Sequence, residues 1–164
     1  MTGRPEELVK FLFNQDRDKV FDLTEHKEKR SNNANAYFHK LCSLIAECLK
    51  VSMIEVKNKM ISDYGQLHFL EDGSLDWSVK PESFNWMKCE TEHYQPSDRY
   101  VMDKGRKYFV YFVMRGSHTY NTKEMSRLID MTVQEAKELG IETLPPAEIE
   151  RMLNRWKPST GDLK

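Results

Sequence analysis

The sequence lacks the features that mark several common classes of protein. Its formal net charge is −1, from 25 Lys and Arg against 26 Asp and Glu. No global field therefore draws it to nucleic acid, and any such partner must be met by a local patch. No apolar run is long enough to span a bilayer, and Met1 to Glu7 has no signal-peptide pattern, so the expected location is the cytoplasm. Cys42, Cys48 and Cys89 make neither an even framework nor a CxxC pair, which suits free thiols in a reducing compartment. There is no Gly-rich phosphate loop, no nucleophile elbow, no HExxH pair, no internal repeat and no low-complexity block. His39 and Cys42 lie three apart, but Cys48 falls on another face and no second ligand pair has zinc spacing. No metal and no cofactor is expected.

What is present suits one α+β domain over residues 1–157, with a disordered tail at 158–164. A chain of 164 residues with 39% hydrophobic residues can bury a core. Glu6 to Phe13 crowds Leu8, Val9, Phe11, Leu12 and Phe13 and reads as a short helix or strand; Lys19 to His26 reads as a strand. Ser31 opens a long helix, Asn32 to Leu49, whose Phe38, Leu41, Cys42, Ile45 and Leu49 share one face. Ser52 and Glu55 form a capping box for a second helix that stops near Gly65. Leu67 to Val79, around Asp72-Gly73, reads as a hairpin. Lys80 to Lys104 shows no periodicity. Lys107 to Arg115 reads as a strand apolar on both faces, hence buried on both sides. Thr122 to Leu139 is an amphipathic helix with Gly140 as its terminator, and Ala147 to Trp156 a last helix ended by Pro158. The predicted architecture is a small antiparallel sheet packed against two central helices and two C-terminal helices.

The most informative stretch is Arg115-Gly116-Ser117-His118-Thr119-Tyr120-Asn121, which joins an aromatic strand to a helix start. Asn121 is placed to cap the helix and Glu124 to reach back to the cap amide, while Lys123 and Arg127 add positive charge one turn apart. Hydroxyls and free amides at a helix N-terminus suit a phosphate or carboxylate, although Glu124 cancels part of the charge. Three basic clusters carry aromatic neighbours: Lys27, Lys29 and Arg30 with Lys40 and Tyr37; Lys104, Arg106 and Lys107 with Tyr108; and Arg151, Arg155 and Lys157 around Trp156. Cations that meet phosphates beside rings that stack on any base are what sequence-tolerant single-strand binding requires. Such runs are also ordinary solvated faces, and Trp156 equally suits a core position under the last helix.

Glu28-Lys29-Arg30-Ser31, with Asn35 four residues after the serine and then Phe38 and His39, resembles the "RSxxQN" helix start of the phage recombination mediators called NinB or Orf. Ser117 and Thr119, Glu124-Met125 with Leu128-Ile129, Gly140-Ile141 and Arg155-Trp156 follow in that family's order, so the resemblance runs from Lys19 to Lys157 and fits a distant, Gram-positive phage-type member. The chain departs from the family at Glu6 to Phe13 and in its longer segment Lys80 to Lys104. The resemblance implies a small α+β homodimer in a bacterial host cell that binds single-stranded or gapped DNA. It also implies cooperation with single-strand-binding protein and help in loading a recombinase, without catalysis. The expected DNA-binding residues are Lys29, Arg30, Asn35, Arg115, Ser117, His118, Thr119, Tyr120, Lys123, Arg127, Arg151, Arg155, Trp156 and Lys157. The alternatives are a nuclease that combines His118 with Asp63, Asp72, Asp76 or Asp103, and a protein-binding module.

Overall fold

A computed structural model of the chain describes residues 5–16, 18–20 and 33–156. The chain divides between Arg30 and Ser31 into two compact units. In the first, Pro5–Phe13 forms helix α1, which resolves the open choice at this segment in favour of helix; Pro5 sits in its first turn, where a missing N–H costs nothing. Lys19 and Val20 are irregular, not extended in a sheet, and the rest of the strand expected there, residues 21–26, lies outside the described residues. So do the cap expected at Ser31 and the tail at 158–164.

The second unit is an α+β fold. Helices α2 (Asn33–Leu49) and α3 (Met53–Tyr64) precede a three-stranded antiparallel sheet, β1 (Trp77–Pro81), β2 (His93–Asp103) and β3 (Arg106–Met114), in the order β1-β3-β2. Helices α4 (Thr122–Glu138) and α5 (Pro146–Arg155) close the chain. Both capping boxes form: Ser52 with Glu55 on α3, and Asn121 with Glu124 on α4. Each meets two of the orphan amides of a helix start with side chains three residues apart, so local sequence suffices to place them. Gly140, at φ +73, ends α4 with the Ile141 amide bonded back to Ala136, a termination that favours a residue without Cβ.

The core lies where the apolar faces of the helices meet. Phe38, Leu41 and Cys42 of α2, Ile61 of α3, and Met125, Leu128 and Ile129 of α4 are all essentially inaccessible, and Ile149 and Leu153 bring α5 onto the same cluster. Met114 carries the end of β3 into it. Gly65 is required by space: a Cβ there would stand 2.5 Å from the Tyr120 hydroxyl and 2.4 Å from the Ile61 carbonyl. That hydroxyl accepts from the Gln66 amide and donates to the Arg115 carbonyl, both at 3.0 Å, which ties the end of α3 to the end of β3.

Three expectations for the sheet are corrected. The Asp72-Gly73 turn forms, but it closes only a short ladder with Phe69 opposite Leu75; Trp77 to Pro81 instead pair with β3, Trp77 opposite Phe112. β3 is the central strand, and Val110 and Tyr111, on opposite faces, are both buried, but its other aromatic residues are only part-buried and the neighbouring Tyr100 on one face and Trp77 and Val79 on the other are exposed, so the burial expected on both sides holds only at the middle of the strand. Residues 80–104 are not structureless, since they hold a short 3-10 turn, Trp86–Lys88, and the eleven residues of β2. Pairing of β2 with β3 shifts between Pro96 and Tyr100, so that residues 97–99 face Val110 alone. Ser97 fills the interrupted ladder by donating its hydroxyl to the Val110 carbonyl at 2.8 Å. A bulge of this size breaks the alternation by which a strand is recognised.

Candidate functional site

The helix-start residues singled out by the sequence are drawn together, but largely into one another. Glu124 accepts from the Asn121 amide and the Glu124 amide donates to the Asn121 side chain, both at 2.9 Å. The other oxygen of Glu124 accepts from the Arg115 guanidinium at 3.1 Å, whose second nitrogen donates to the Thr119 carbonyl at 2.8 Å. Arg115 is therefore a strut between β3 and α4, its charge already met by a carboxylate. Ser117 is buried and donates to Asn35 Oδ1 at 2.7 Å, which joins the two halves of the family-like motif across α2 and the 3-10 turn Ser117–Thr119. Thr119 donates back to the Gly116 carbonyl at 2.8 Å.

Two rings assigned to DNA are corrected to core positions. Tyr120 is fully inaccessible, and burial pushes its hydroxyl up to about 12. Trp156, at 4% exposure, donates its indole N–H to the Tyr120 carbonyl at 2.7 Å. Neither presents a face to a base. Lys123 and Arg127 are exposed, but they share a groove with Asp130 and Glu150, so the positive field there is diluted. Arg151 and Arg155 are exposed on α5. Lys29, Arg30 and Lys157 lie outside the described residues. Asp63, Asp72 and Asp76 each have local partners, in Lys59, Ser74 and His68 respectively. Among the described residues no group of His, Cys, Asp or Glu is placed to hold a metal ion, and no helix is long and apolar enough to cross a membrane.

Among the described residues, the basic cluster that the fold builds into a continuous surface is the second, on the β2–β3 ribbon. Lys104 and Gly105, at φ +46 and +75, make its turn, and Arg99, Lys104 and Arg106 are exposed around it, against Asp98 and Asp103. Tyr100 stands opposite Phe109, which stands opposite Lys80 on β1, so all three share one face of the sheet. The Lys107 ammonium lies 4.6 Å from the Tyr100 ring centre and 4.7 Å from that of Phe109. Further along the same face, Lys80 lies 5.1 Å from the ring of Tyr94, which packs edge-on against Phe84 and Tyr111. The hydroxyl of Tyr94 donates to Glu92. The result is a strip of rings interleaved with ammonium groups. Tyr100 is 57% exposed and leads the strip. In sequence it sits inside the aperiodic segment, which hid it.

A second convergence had no signal in sequence at all. His93 on β2 binds a proton weakly: burial is the largest cause, the charges of Lys57 on α3, His118 on the 3-10 turn and His39 on α2 add to it, and together they bring its pKa down to about 4. His39 is lowered by burial and then by Lys57. Gly116 lets the His118 ring fold back over the chain, where a Cβ would come within 2.7 Å of it. The chain matches no family model, no curated protein and no solved structure.

Proposed function

We propose that this protein binds single-stranded or gapped DNA without cleaving it, and that the β2–β3 ribbon is the main contact. The observation that carries the reading is the cation–aromatic cluster of Lys107, Tyr100 and Phe109, led by the exposed Tyr100 ring; Lys80 extends the positive charge along the same face, over the buried Tyr94. Rings stack on any base and ammonium groups meet the phosphates beside it, which gives sequence-tolerant binding of a single strand. A chain of nearly zero net charge needs its cations concentrated in this way. We read such binding as serving phage-type recombination in the cytoplasm of a bacterial host, beside single-strand-binding protein and a recombinase, in keeping with the resemblance to the NinB and Orf mediators. A homodimer accords with the same resemblance, and the exposed Trp77, Val79 and Val101, on the other face of the sheet from Tyr100, suit a self-complementary contact.

Anisotropy of a labelled single-stranded oligonucleotide across a salt series tests the contact. Tyr100→Ala is expected to weaken binding by about 1–3 kcal/mol for one lost stacked base. Lys107→Ala is expected to flatten the dependence of log affinity on log salt by about 0.7 per lost phosphate. The pair Lys123→Ala and Arg127→Ala is expected to change both less, because acids already share that groove. Parent affinity and slope in both ribbon variants, with circular dichroism intact, would remove the support for this reading.

A further inference from the structure

We propose that the groove where the C-terminal ends of α2 and α4 meet the side of α3 is the docking site for a cationic amphipathic helix of a partner protein. The groove shares no residue with the cation–aromatic strip of the β2–β3 ribbon and does not depend on the ribbon's binding DNA. It has a volume of about 520 Å³. Its floor is the core itself, since Ile45 of α2 and Val56 and Met60 of α3 line it and are buried. Its walls are apolar but uncovered. Leu49 and Val51, on either side of the turn at Lys50, and Leu139, at the end of α4, line the same groove and are 51%, 45% and 37% exposed. Lys50 makes that turn at φ +57, and the Val51 amide bonds back to the Ala46 carbonyl at 3.1 Å, which fixes both side chains at the corner. Single exposed apolar side chains are ordinary on a protein surface, whereas several around one concavity mark a contact surface.

The charge around these apolar groups selects what covers them. Glu55, Asp63, Glu135 and Glu138 line the groove against one cation, Lys59. Lys59 donates to both oxygens of Asp63, at 2.7 and 2.9 Å, so that pair is neutral. Glu55 is committed to the α3 capping box and has Lys88 at 3.8 Å. Glu135 accepts from the Tyr64 hydroxyl at 2.5 Å, and among the described residues no salt bridge reaches Glu135 or Glu138. Both stand in the last turn of α4, where the unpaired carbonyls of a helix already amount to about half a negative charge, and α2 ends at the same groove. Lys137, the cation of that turn, lines a different groove beside Leu144 and Ile149. Two carboxylates at the negative end of a helix are unfavourable in the free protein, and a lysine or arginine from a partner relieves them. The same field repels phosphates, so this face is not a second DNA contact. Its walls are helices and offer no strand edge, so an extended segment would leave its backbone groups unpaired, whereas a helix satisfies its own.

Methyl NMR of the full-length protein, titrated with synthetic peptides of about four helical turns, tests the proposal. One peptide carries leucine at i, i+3, i+4 and i+7 with lysines on both flanks of that stripe, and its twin has glutamate in place of every lysine. The lysine peptide is expected to shift the methyl signals of Leu49, Val51 and Leu139, and the glutamate twin to bind at least about tenfold more weakly. Leu49→Ser, at an exposed position, is expected to weaken the lysine peptide about tenfold, and Glu138→Lys about threefold to fivefold, while the melting temperature of each stays close to that of the parent. Tyr100→Ala is expected to bind the peptide as the parent does, which separates this site from the ribbon. Equal binding of the two peptides, shifts confined to other methyl groups, or methyl signals indifferent to both peptides in the folded protein overturn the proposal and leave DNA binding by the ribbon untouched. Methyl signals of the groove that move when the protein alone is concentrated assign this face to a second copy of the chain and equally overturn it.

Discussion

Replacing Asn58 tests the network that positions His93. Asn58→Ala removes the side-chain donor shared by the carbonyls of Trp86, Met87 and Cys89, of which Trp86 keeps the Cys89 amide, and the acceptor of His93 Nδ1. Each buried polar group left without a partner costs about 1–3 kcal/mol, and the 3-10 turn is half-buried, so water reaches part of the vacated space; a total of about 3–4 kcal/mol follows. In urea the midpoint should fall at constant slope, and the melting temperature should drop by roughly 10 °C at about 2–4 °C per kcal/mol. Parent stability has a matching pH dependence. The folded His93 titrates at about 4 against 6.5 for the ordinary side chain, so between these values the unfolded chain holds the extra proton. Stability is therefore intact above pH 6.5, is lost as pH falls toward 4, and no longer changes on this account below that. The full shift corresponds to about 3 kcal/mol, and the third of the ring that solvent screens reduces this to about 1–2 kcal/mol. A His93 that titrates near 6.5 by NMR, or an Asn58→Ala variant within about 1 kcal/mol of the parent, refutes the account of the network.

Gly65→Ala should destabilise by more than about 2 kcal/mol, because its Cβ meets both the Tyr120 hydroxyl and the Ile61 carbonyl; adding Tyr120→Phe should recover only a fraction, since the backbone contact remains. Trp156→Phe keeps the packing but leaves the Tyr120 carbonyl unpaired, and chemical denaturation should register about 1–2 kcal/mol. Burial pushes the Cys42 thiol up to about 12, so a thiol reagent at neutral pH should label the exposed Cys48 and leave Cys42 until the protein is unfolded; prompt labelling of Cys42 would contradict its place in the core. Light scattering should give twice the chain mass, and Trp77→Ser should lower it to the monomer if the exposed sheet face is the contact.

The parts of the fold that could be read from sequence are those decided within a few residues. The capping boxes at Ser52 and Asn121, the apolar stripe of α4 and the stop at Gly140 each depend on neighbours three or four positions away, and each forms as the pattern dictates. Strand partners are decided at a distance. Trp77 sits close in sequence to Leu67 and Phe69, yet pairs with Phe112, because β3 offers a longer apolar edge than the short turn ladder can. β2 was invisible for a different reason: three residues opposite Val110, with Pro96 at the edge of the shift, scramble the period-two signal over the very stretch that carries Tyr100.

The same division between near and far governs the sites. Residue type alone nominated Arg115, Tyr120 and Trp156 for DNA, and each type is right for the task; what type cannot reveal is a prior commitment. Arg115 has Glu124, Tyr120 has Gln66 and Arg115, and Trp156 has the Tyr120 carbonyl, so these residues join β3, α4 and α5 into one scaffold. On the β2–β3 ribbon, by contrast, Tyr100 stands exposed opposite the part-buried Phe109, and the Lys107 ammonium lies over both rings. Histidine is the extreme case. His39, His93 and His118 have no common spacing, and the residue that orients the His93 ring, Asn58, stands on α3, 35 residues away in sequence. Burial, more than the cations near it, holds the His93 ring neutral, and the expected acid sensitivity measures mainly that burial.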